Sequence, residues 1–169
     1  MLHVDLNRLR REGRARIDVG VPRDAEFWDD LGLEPRSPLD VRLEAQQAGP
    51  DVVVRGTIQG RFAQACRRCL EPVEVEIDEE LGRLYRAGDV LAEDESEDVL
   101  ALPESAELDL REPVREQVMV AVPQYVYCRA ECKGLCPQCG TNLNESECDC
   151  TTDEMDERWA PLRQLQSDG

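Results

Sequence analysis

The chain has 169 residues, of which 37 are acidic and 20 are lysine or arginine, so its formal net charge is −17. Residues 1–68 carry 12 arginines against 11 acidic side chains, whereas residues 69–169 carry 8 basic against 26 acidic side chains. This length allows one domain with a core, and the acidic body disfavours a protein that binds a long stretch of phosphate backbone. It favours a solvated protein or one that docks with basic partner proteins.

The N-terminus gives no sign of a targeting or membrane segment. A charged segment follows Met1 to Asp5, and no apolar run approaches the length of a membrane span. We therefore expect a cytoplasmic protein with no membrane partner. In a reducing cytoplasm, the eight cysteines indicate metal or redox chemistry more than disulfides.

The first twenty residues are rich in arginine, and five of these side chains fall close together: Arg8, Arg10, Arg11, Arg14 and Arg16. The pattern predicts a solvated strand-loop-strand edge, and a contact with RNA or phosphate is the alternative. Next, Asp24 to Leu31 predicts one short helix with Phe27 and Trp28 on its apolar side. Two prolines between Leu33 and Pro38 then end regular structure.

A period of two indicates strands from Leu39 onward. Leu39, Val41 and Leu43 alternate with charged residues, and Gly49 begins a turn before the next strand. A further strand places the apolar residues Val73, Val75 and Ile77 on one face, with acidic residues between them. Residues 1–88 are therefore predicted to form an antiparallel β meander with one buried face. The Cys66-Arg-Arg-Cys69 turn would lie at the tip of a hairpin.

Residues 89–108 contain an acidic run and are predicted to form a loop. A helix is expected from Asp109, either capped by Asp109 with Glu112 or with Pro113 in its first turn. Four apolar residues recur at every fourth position and predict a stripe that covers the sheet: Leu110, Val114, Val118 and Val122. Pro123 ends this helix, and residues 156–166 are expected to form a final helix.

Six cysteines fall within 23 residues, from Cys128 to Cys150, and Cys136-Pro-Gln-Cys139-Gly has the form of a zinc knuckle. Eight cysteines supply two four-thiolate sites. The favoured partition has site 1 built from Cys66, Cys69, Cys128 and Cys132 and site 2 from Cys136, Cys139, Cys148 and Cys150. The competing partition groups Cys128, Cys132, Cys136 and Cys139 in one site. The second site would then combine Cys66 and Cys69 with Cys148 and Cys150.

Two zinc ions are therefore expected as cofactors, although a Cys-Pro-x-Cys-Gly turn also resembles iron-binding rubredoxin knuckles. Each metal can contribute about 10 kcal/mol of apparent folding free energy, so metal removal is expected to unfold the C-terminal third. The alternative class is a thiol-redox or metal-handling protein, in which Arg67 and Arg68 lower a thiol pKa. His3 is the single histidine, so no Cys-His dyad is predicted.

Candidate nucleic-acid contacts are basic residues at the two ends of the chain: Arg8, Arg10, Arg11, Arg14, Arg129 and Lys133. Asn142 and Asn144 are further candidates on the knuckle. Both also suit turns, because asparagine tolerates a left-handed backbone.

Four motifs carry a resemblance to a known family. They are Cys66-Arg-Arg-Cys-Leu-Glu-Pro-Val73, Asp109-Leu-Arg-Glu-Pro-Val-Arg-Glu116, Cys132-Lys-Gly-Leu-Cys-Pro-Gln-Cys-Gly-Thr-Asn-Leu-Asn144 and Cys148-Asp-Cys150. These motifs occur in the same order in the YceD family, which is named for accumulation of the large ribosomal RNA. The chain resembles this family over roughly residues 39–166. The resemblance implies a role in 23S ribosomal RNA accumulation and large-subunit assembly. It brings no catalytic residue.

Together these patterns predict one α+β domain over residues 1–169: an antiparallel meander, a covering helix and a C-terminal zinc-binding segment. The β-rich part is residues 1–88, the acidic loop 89–108, and the helix, knuckle and final helix 109–169. The expected function is a non-enzymatic ribosome biogenesis factor without a small-molecule substrate. Its expected partner is a large-subunit ribosomal protein or a pre-ribosomal particle, with direct ribosomal RNA contact as the rival mode.

Overall fold

The computed structural model describes residues 2–88 and 99–150, and its largest element is a mixed β-sheet. The strands are, in chain order, β1 (His3–Asp5), β2 (Arg14–Val21), β3 (Glu34–Pro35), β4 (Leu39–Ala48), β5 (Asp51–Ala65), β6 (Pro72–Arg86), β7 (Val99–Ala101) and β8 (Glu107–Asp109). The helices are α1 (Leu6–Glu12) and α2 (Arg111–Ala121). Neither helix is long and apolar enough to cross a membrane.

The main sheet has the strand order β2-β4-β5-β6-β7, and β3 pairs with β5 beside this path. Antiparallel pairing joins β4 to β2 and to β5. Leu39, Val41 and Leu43 are buried while Asp40 and Arg42 are exposed, so the predicted alternation of β4 is confirmed. One face of the sheet is therefore the core face.

A close backbone approach links β4 to β5 at Gly56. Gly56 pairs with Leu43, and a Cβ placed on Gly56 would lie 2.7 Å from the Leu43 Cα and would also clash with the Arg42 carbonyl oxygen. Only glycine fits here without a backbone shift. Gly56 thus marks a place where two strands come unusually close.

The sheet extends by one strand beyond the antiparallel meander predicted over residues 1–88. Strand β7 pairs parallel to β6, with Leu84 opposite Val99, so the sheet is mixed. The predicted loop over residues 89–108 is wrong for residues 99–101, which form β7. Leu100 and Leu102 pack against the core, and this packing favours regular structure there. The acidic run itself, within residues 89–98, lies outside the described residues.

The predicted strand-loop-strand edge in the first twenty residues is wrong because α1 lies between the two strands. Asp5 caps this helix, since its side chain accepts a hydrogen bond from the Arg8 N–H at 2.9 Å. Gly13 ends it with a φ of 76°. Leu6 and Leu9 face the core, so the helix is amphipathic with its arginines outward.

The helix predicted from Asp24 to Leu31 shortens to a single 3₁₀ turn, Glu26–Trp28. Asp30 has a φ of 64° and Gly32 a φ of 63°, and these left-handed residues end the turn. Trp28 is nevertheless buried, as its apolar character indicated. Its indole N–H donates to the Pro22 carbonyl oxygen at 2.7 Å and its ring packs against Phe62.

The covering helix is present, but it begins after Asp109. Residues Glu107–Asp109 form β8, which pairs with β1, and Leu110 precedes the first helical residue without a side-chain cap. The predicted capping box with Glu112 is wrong, because the Asp109 carboxylate accepts the N–H of Arg111, the first helical residue, at 2.9 Å. Pro113 lies in the first turn, as the alternative required. The apolar stripe is confirmed, because Leu110, Val114 and Val118 are fully buried. Helix α2 lies against β6.

The described residues divide into two compact units. Unit 1 comprises residues 2–64, 72–88 and 99–124 and contains the sheet and both helices. Unit 2 comprises residues 65–71 and 125–150 and contains all eight cysteines. Apart from Ala65 at the end of β5, unit 2 consists of turns, irregular segments and two isolated β-bridges. The predicted final helix over residues 156–166 lies outside the described residues.

Candidate metal centres

The first Cys-x-x-Cys turn is closed by backbone hydrogen bonds around Cys66. The Leu70 N–H donates to the Cys66 carbonyl oxygen at 2.9 Å, and the Cys66 N–H donates to the Glu71 carbonyl oxygen at 2.8 Å. Leu70 has a φ of 62°, which is uncommon for a leucine. The turn thus uses a left-handed residue directly after its second cysteine.

The second turn repeats this pattern. The Gly140 N–H donates to the Cys136 carbonyl oxygen at 2.9 Å, and the Cys136 N–H donates to the Thr141 carbonyl oxygen at 2.8 Å. Gly140 has a φ of 75°. Here the left-handed position is a glycine, which carries no steric cost. The two turns are therefore the same structural device, 70 residues apart in the chain.

Four sulfurs gather around the first turn, from Cys66, Cys69, Cys128 and Cys132. All four lie within 4.8 Å of one another, with 3.9 Å between Cys66 and Cys132 and 3.6 Å between Cys69 and Cys128. A tetrahedral zinc with bonds of about 2.3 Å needs sulfur pairs about 3.8 Å apart. The spacing fits a four-thiolate metal ion.

The other four sulfurs gather around the second turn, from Cys136, Cys139, Cys148 and Cys150, again within 4.8 Å of one another. The Thr141 hydroxyl lies 3.1 Å from the Cys139 sulfur. Both groups match the favoured partition of the cysteines, with the Cys-x-Cys hook folded back onto its own knuckle. That each group binds a metal, and which metal, stays a prediction.

Backbone and side-chain donors point at the sulfurs of the first cluster. The Cys128 N–H donates to the Cys66 sulfur at 3.4 Å, and the Asn144 side-chain amide donates to the Cys132 sulfur, also at 3.4 Å. Such donors stabilise thiolates and orient metal ligands. Asn144 was predicted only as a turn former or a nucleic-acid contact, so its contact with a cysteine is new.

The thiol pKa values of the first cluster separate in opposite directions. Burial opposes ionisation of Cys66, but the N–H groups of Cys69, Arg68 and Cys128 outweigh it and lower the pKa of Cys66 to about 6. Burial and the neighbouring sulfurs raise the pKa of Cys128 to about 12. One thiolate therefore hinders ionisation of the next when no cation lies between them.

The second cluster shows the same separation. The Thr141 hydroxyl and N–H lower the pKa of Cys139 to about 6. For Cys150, the contact with the Cys139 sulfur is the largest cause, followed by burial, and together they raise the pKa of Cys150 to about 12. Four thiolates this close together need a cation to be ionised at once, and zinc or iron is the cation that such a donor set suits.

The eight cysteines form no disulfide. The sulfur pairs at 3.6 and 3.9 Å are well beyond the bond length of about 2.05 Å. A redox role would require an accessible low-pKa thiol. Cys66, whose pKa is lowered, is fully buried, which disfavours the thiol-redox alternative at this position. Cys139, whose pKa is also lowered, is exposed, so the alternative applies to the second cluster alone.

The loop that carries Cys128 and Cys132 is held by Arg68. Its guanidinium donates to the carbonyl oxygens of Ala130 and Cys132, each at 3.1 Å. The Leu135 N–H donates back to the Arg68 carbonyl oxygen at 2.9 Å. Gly134, at a φ of 78°, leaves room for that carbonyl. Arg68 is therefore a positioning residue of the first cluster.

The candidate nucleic-acid contacts lie on both units. Arg8, Arg10 and Arg11 are exposed on α1, Arg14 is exposed at the start of β2, and Arg129 and Lys133 are exposed in unit 2. Arg8 forms an ion pair with Glu12 at 2.9 Å, which reduces its availability to a phosphate. Their contact with nucleic acid stays a prediction.

Comparison with known proteins places this arrangement in a family. The family model described as "Large ribosomal RNA subunit accumulation protein YceD" matches residues 54–166, which include every cysteine of the two clusters. The chain belongs to the YceD family. An uncharacterized protein of Mycobacterium tuberculosis is 30% identical over 166 residues, covering 96% of this chain and 80% of the relative.

Two plant members of the YceD family also resemble the chain, and both are named as chloroplastic large ribosomal RNA subunit accumulation protein homologs. The Arabidopsis thaliana protein is 38% identical over 63 residues, covering 37% of this chain and 20% of the relative. The Zea mays protein is 26% identical, covering 82% of this chain and 57% of the relative. No solved structure matches the chain.

Proposed function

We propose that this YceD protein is a non-enzymatic assembly factor of the large ribosomal subunit that supports accumulation of the 23S ribosomal RNA in the cytoplasm. The family match over residues 54–166 carries the proposal, because the matched region includes both cysteine clusters. The names of the plant relatives support the same process. We further propose that two zinc ions fill the clusters and give unit 2 its rigidity.

The preferred mode of action is docking onto a basic ribosomal protein or a pre-ribosomal particle. The net charge of −17 supports it, since an acidic surface attracts basic proteins and accelerates their encounter. The clusters would serve as a structural frame. Metal in them would hold the two turns and orient the side chains that project from them, without entering a reaction.

Deletion and complementation test the function. In cells that lack the protein, the ratio of large- to small-subunit ribosomal RNA is expected to fall, and the wild-type chain is expected to restore it. Cys136→Ser together with Cys139→Ser should fail to restore the ratio, whereas Arg23→Gln, an exposed arginine in unit 1, should restore it. An unchanged ratio in the deletion strain would overturn the proposal.

Elemental analysis of protein purified without added metal tests the cofactor. Two zinc ions per chain are expected from the eight cysteines. One zinc per chain would leave four thiols for redox or metal transfer and favour the alternative class. Iron in place of zinc would keep the structural frame and change the assignment of the metal.

A further inference from the structure

Two of the three tyrosines of the chain lie exposed in unit 2, beside the first cysteine cluster. Tyr125 is 69% exposed and Tyr127 is 50% exposed, whereas the third tyrosine, Tyr85, is buried. In a protein with only 4% aromatic residues, two exposed rings two residues apart are unusual. Exposed aromatic rings of this kind mark interaction sites.

Each ring is stacked by an arginine from the first Cys-x-x-Cys turn. The Arg67 guanidinium lies 4.6 Å from the Tyr125 ring centroid, and the Arg68 guanidinium lies 4.8 Å from the Tyr127 ring centroid. These contacts fix the orientation of the rings and leave much of their surface to solvent. Each ring is thus held in place from one face while at least half of the side chain stays exposed.

The backbone between the two tyrosines is extended. Val126 forms a parallel β-bridge with Cys66, and its carbonyl oxygen accepts the Arg67 N–H at 2.9 Å. Side chains two residues apart on an extended segment project to the same side, about 6.6 Å apart along the backbone. This spacing is about twice the 3.4 Å rise between stacked bases.

The two chain segments that carry the rings and their arginines have a net charge opposite in sign to that of the whole chain. Residues 65–71 and 125–133 carry the arginines Arg67, Arg68 and Arg129 with Lys133, against Glu71 and Glu131. Arg129 is exposed within two residues of Tyr127. Because salt screens charges beyond about 8 Å under physiological conditions, this local basic charge can act although the net charge is negative.

We propose that Tyr125 and Tyr127, with Arg67, Arg68 and Arg129 beside them, form a platform that binds single-stranded RNA by base stacking. The ligand class follows from the chemistry of the surface: aromatic faces and guanidinium planes stack unpaired bases, and nearby cations contact the phosphates. A duplex hides its base faces, so it is not the ligand. The inference rests on the proposed function and names the ligand through which such a factor contacts ribosomal RNA.

Fluorescence anisotropy with a labelled, unstructured 12-nucleotide RNA and the full chain, as purified with its metal, tests the platform. Tyr125→Leu and Tyr127→Leu are each expected to weaken binding about tenfold, because each removes one stacking ring. The matched variants Tyr125→Phe and Tyr127→Phe keep the ring and should bind within about twofold of wild type. The same RNA annealed into a duplex should bind at least tenfold more weakly.

Salt dependence and crosslinking give independent readouts. With Arg129 and Lys133 on phosphates while Arg67 and Arg68 stay stacked on the rings, the slope of log K against log salt should be about −1.4 for a single strand. Crosslinking of the unmutated protein to 4-thiouridine RNA should label the peptide that contains Tyr125 and Tyr127. This measurement needs no substitution, so it decides the matter even where a leucine variant loses its metal.

Three outcomes would overturn the platform. They are leucine variants that bind RNA as wild type does, a loss of binding confined to Arg8→Gln and Arg10→Gln, and efficient competition by an acidic peptide. Failure of the platform is distinct from failure of the proposed function. If a Tyr125→Leu, Tyr127→Leu double variant restores ribosomal RNA accumulation in deletion cells, the platform is overturned but the proposed assembly role is not.

Discussion

The side-chain amide of Asn144 donates a hydrogen bond to the sulfur of Cys132 at 3.4 Å, across 12 residues of sequence. The same side chain accepts the Lys133 N–H at 2.9 Å through its oxygen, and that oxygen–nitrogen assignment follows from the two contacts together. Asn144 therefore joins the end of the second turn to a cysteine of the first cluster, all within unit 2.

Asn144→Asp is expected to weaken zinc binding at the first cluster about 10- to 100-fold, because a carboxylate accepts rather than donates and places a negative charge beside thiolates. Competition with a chromogenic zinc chelator measures the change. Asn7→Asp makes the same chemical change at an exposed site in unit 1 and should leave the affinity unaltered. Equal affinities for wild type and Asn144→Asp would contradict a role for this hydrogen bond.

Leu70 and Gly140 occupy equivalent left-handed positions after the two Cys-x-x-Cys turns. Leu70→Gly and Gly140→Leu should therefore have opposite effects on the stability of unit 2. Leu70→Gly removes a left-handed leucine that costs about 1–2 kcal/mol, and it adds an unfolded-state entropy cost of about 0.5–1 kcal/mol. We expect a net stabilisation of unit 2 by about 0.5–1 kcal/mol. Gly140→Leu imposes the same strain on the second turn and recovers the same unfolded-state entropy, so it should destabilise unit 2 by about 0.5–1 kcal/mol.

Trypsin cleavage after Arg67 and Lys133 at increasing temperature measures both exchanges, because both cleavage sites lie in unit 2. Leu70 is 64% exposed, so its replacement removes little packing. If Leu70→Gly destabilised unit 2 as much as Gly140→Leu does, the leucine would have to make contacts beyond those of an exposed side chain.

Removal of metal is expected to open unit 2 while unit 1 stays folded. Unit 2 has almost no helix or strand, so each of the proposed metal ions would supply much of its stability, about 10 kcal/mol or more. With a zinc-selective chelator, trypsin should cut rapidly after Arg67, Arg68 and Lys133. Arg42 and Arg55, in the paired strands β4 and β5, serve as internal controls and should stay protected.

Mass spectrometry of the tryptic fragments identifies the cleavage sites. Far-UV circular dichroism is a poor readout here, since the described residues of unit 2 contribute only Ala65 to a strand and none to a helix. Rapid cleavage after Arg42 on metal removal would show that unit 1 depends on the clusters. No change after Arg67 or Lys133 would show that the clusters do not stabilise unit 2.

Gly56→Ala is expected to destabilise unit 1 by about 3 kcal/mol or more, because the new methyl group would meet the backbone of Arg42 and Leu43 and force β4 and β5 apart. Gly82→Ala is the matched control in β6. A Cβ at Gly82 meets nothing within 4 Å, so this change should be neutral or stabilising by up to about 1 kcal/mol. Urea unfolding of both variants gives the comparison, and similar midpoints would contradict the close approach of β4 and β5 as the cause.

The elements whose apolar residues repeat at a regular spacing were predictable from the sequence. The alternation from Leu39 to Leu43 and the stripe from Leu110 to Val122 each put their residues on the core face, because burial of one face is what such patterns encode. The spacing favoured the observed grouping of the cysteines, since a Cys-x-x-Cys turn and a short Cys-x-Cys hook close on themselves, but it left a competing partition open.

Other features depend on contacts that a linear pattern does not reveal. Helix α1 was missed because its arginines concealed Leu6 and Leu9, although the signals of Asp5 before it and Gly13 after it were present. Strand β7 is held by its partner β6 rather than by its own propensity. The contacts of Asn144 with Cys132 and of Arg67 with Tyr125 join segments that are separated in sequence.

The division of unit 2 between residues 65–71 and 125–150 has a consequence for biosynthesis. Cys66 and Cys69 leave the ribosome long before Cys132, and at about 5–20 residues per second the delay is roughly 3–13 s. During that interval half of the first ligand set exists without the other half. The second cluster, contained in residues 136–150, completes within about 3 s of its first cysteine. All four ligands of the second cluster are therefore synthesised together. Cys66 and Cys69, in contrast, are exposed for seconds as a pair of thiols that lacks the other two ligands of its site.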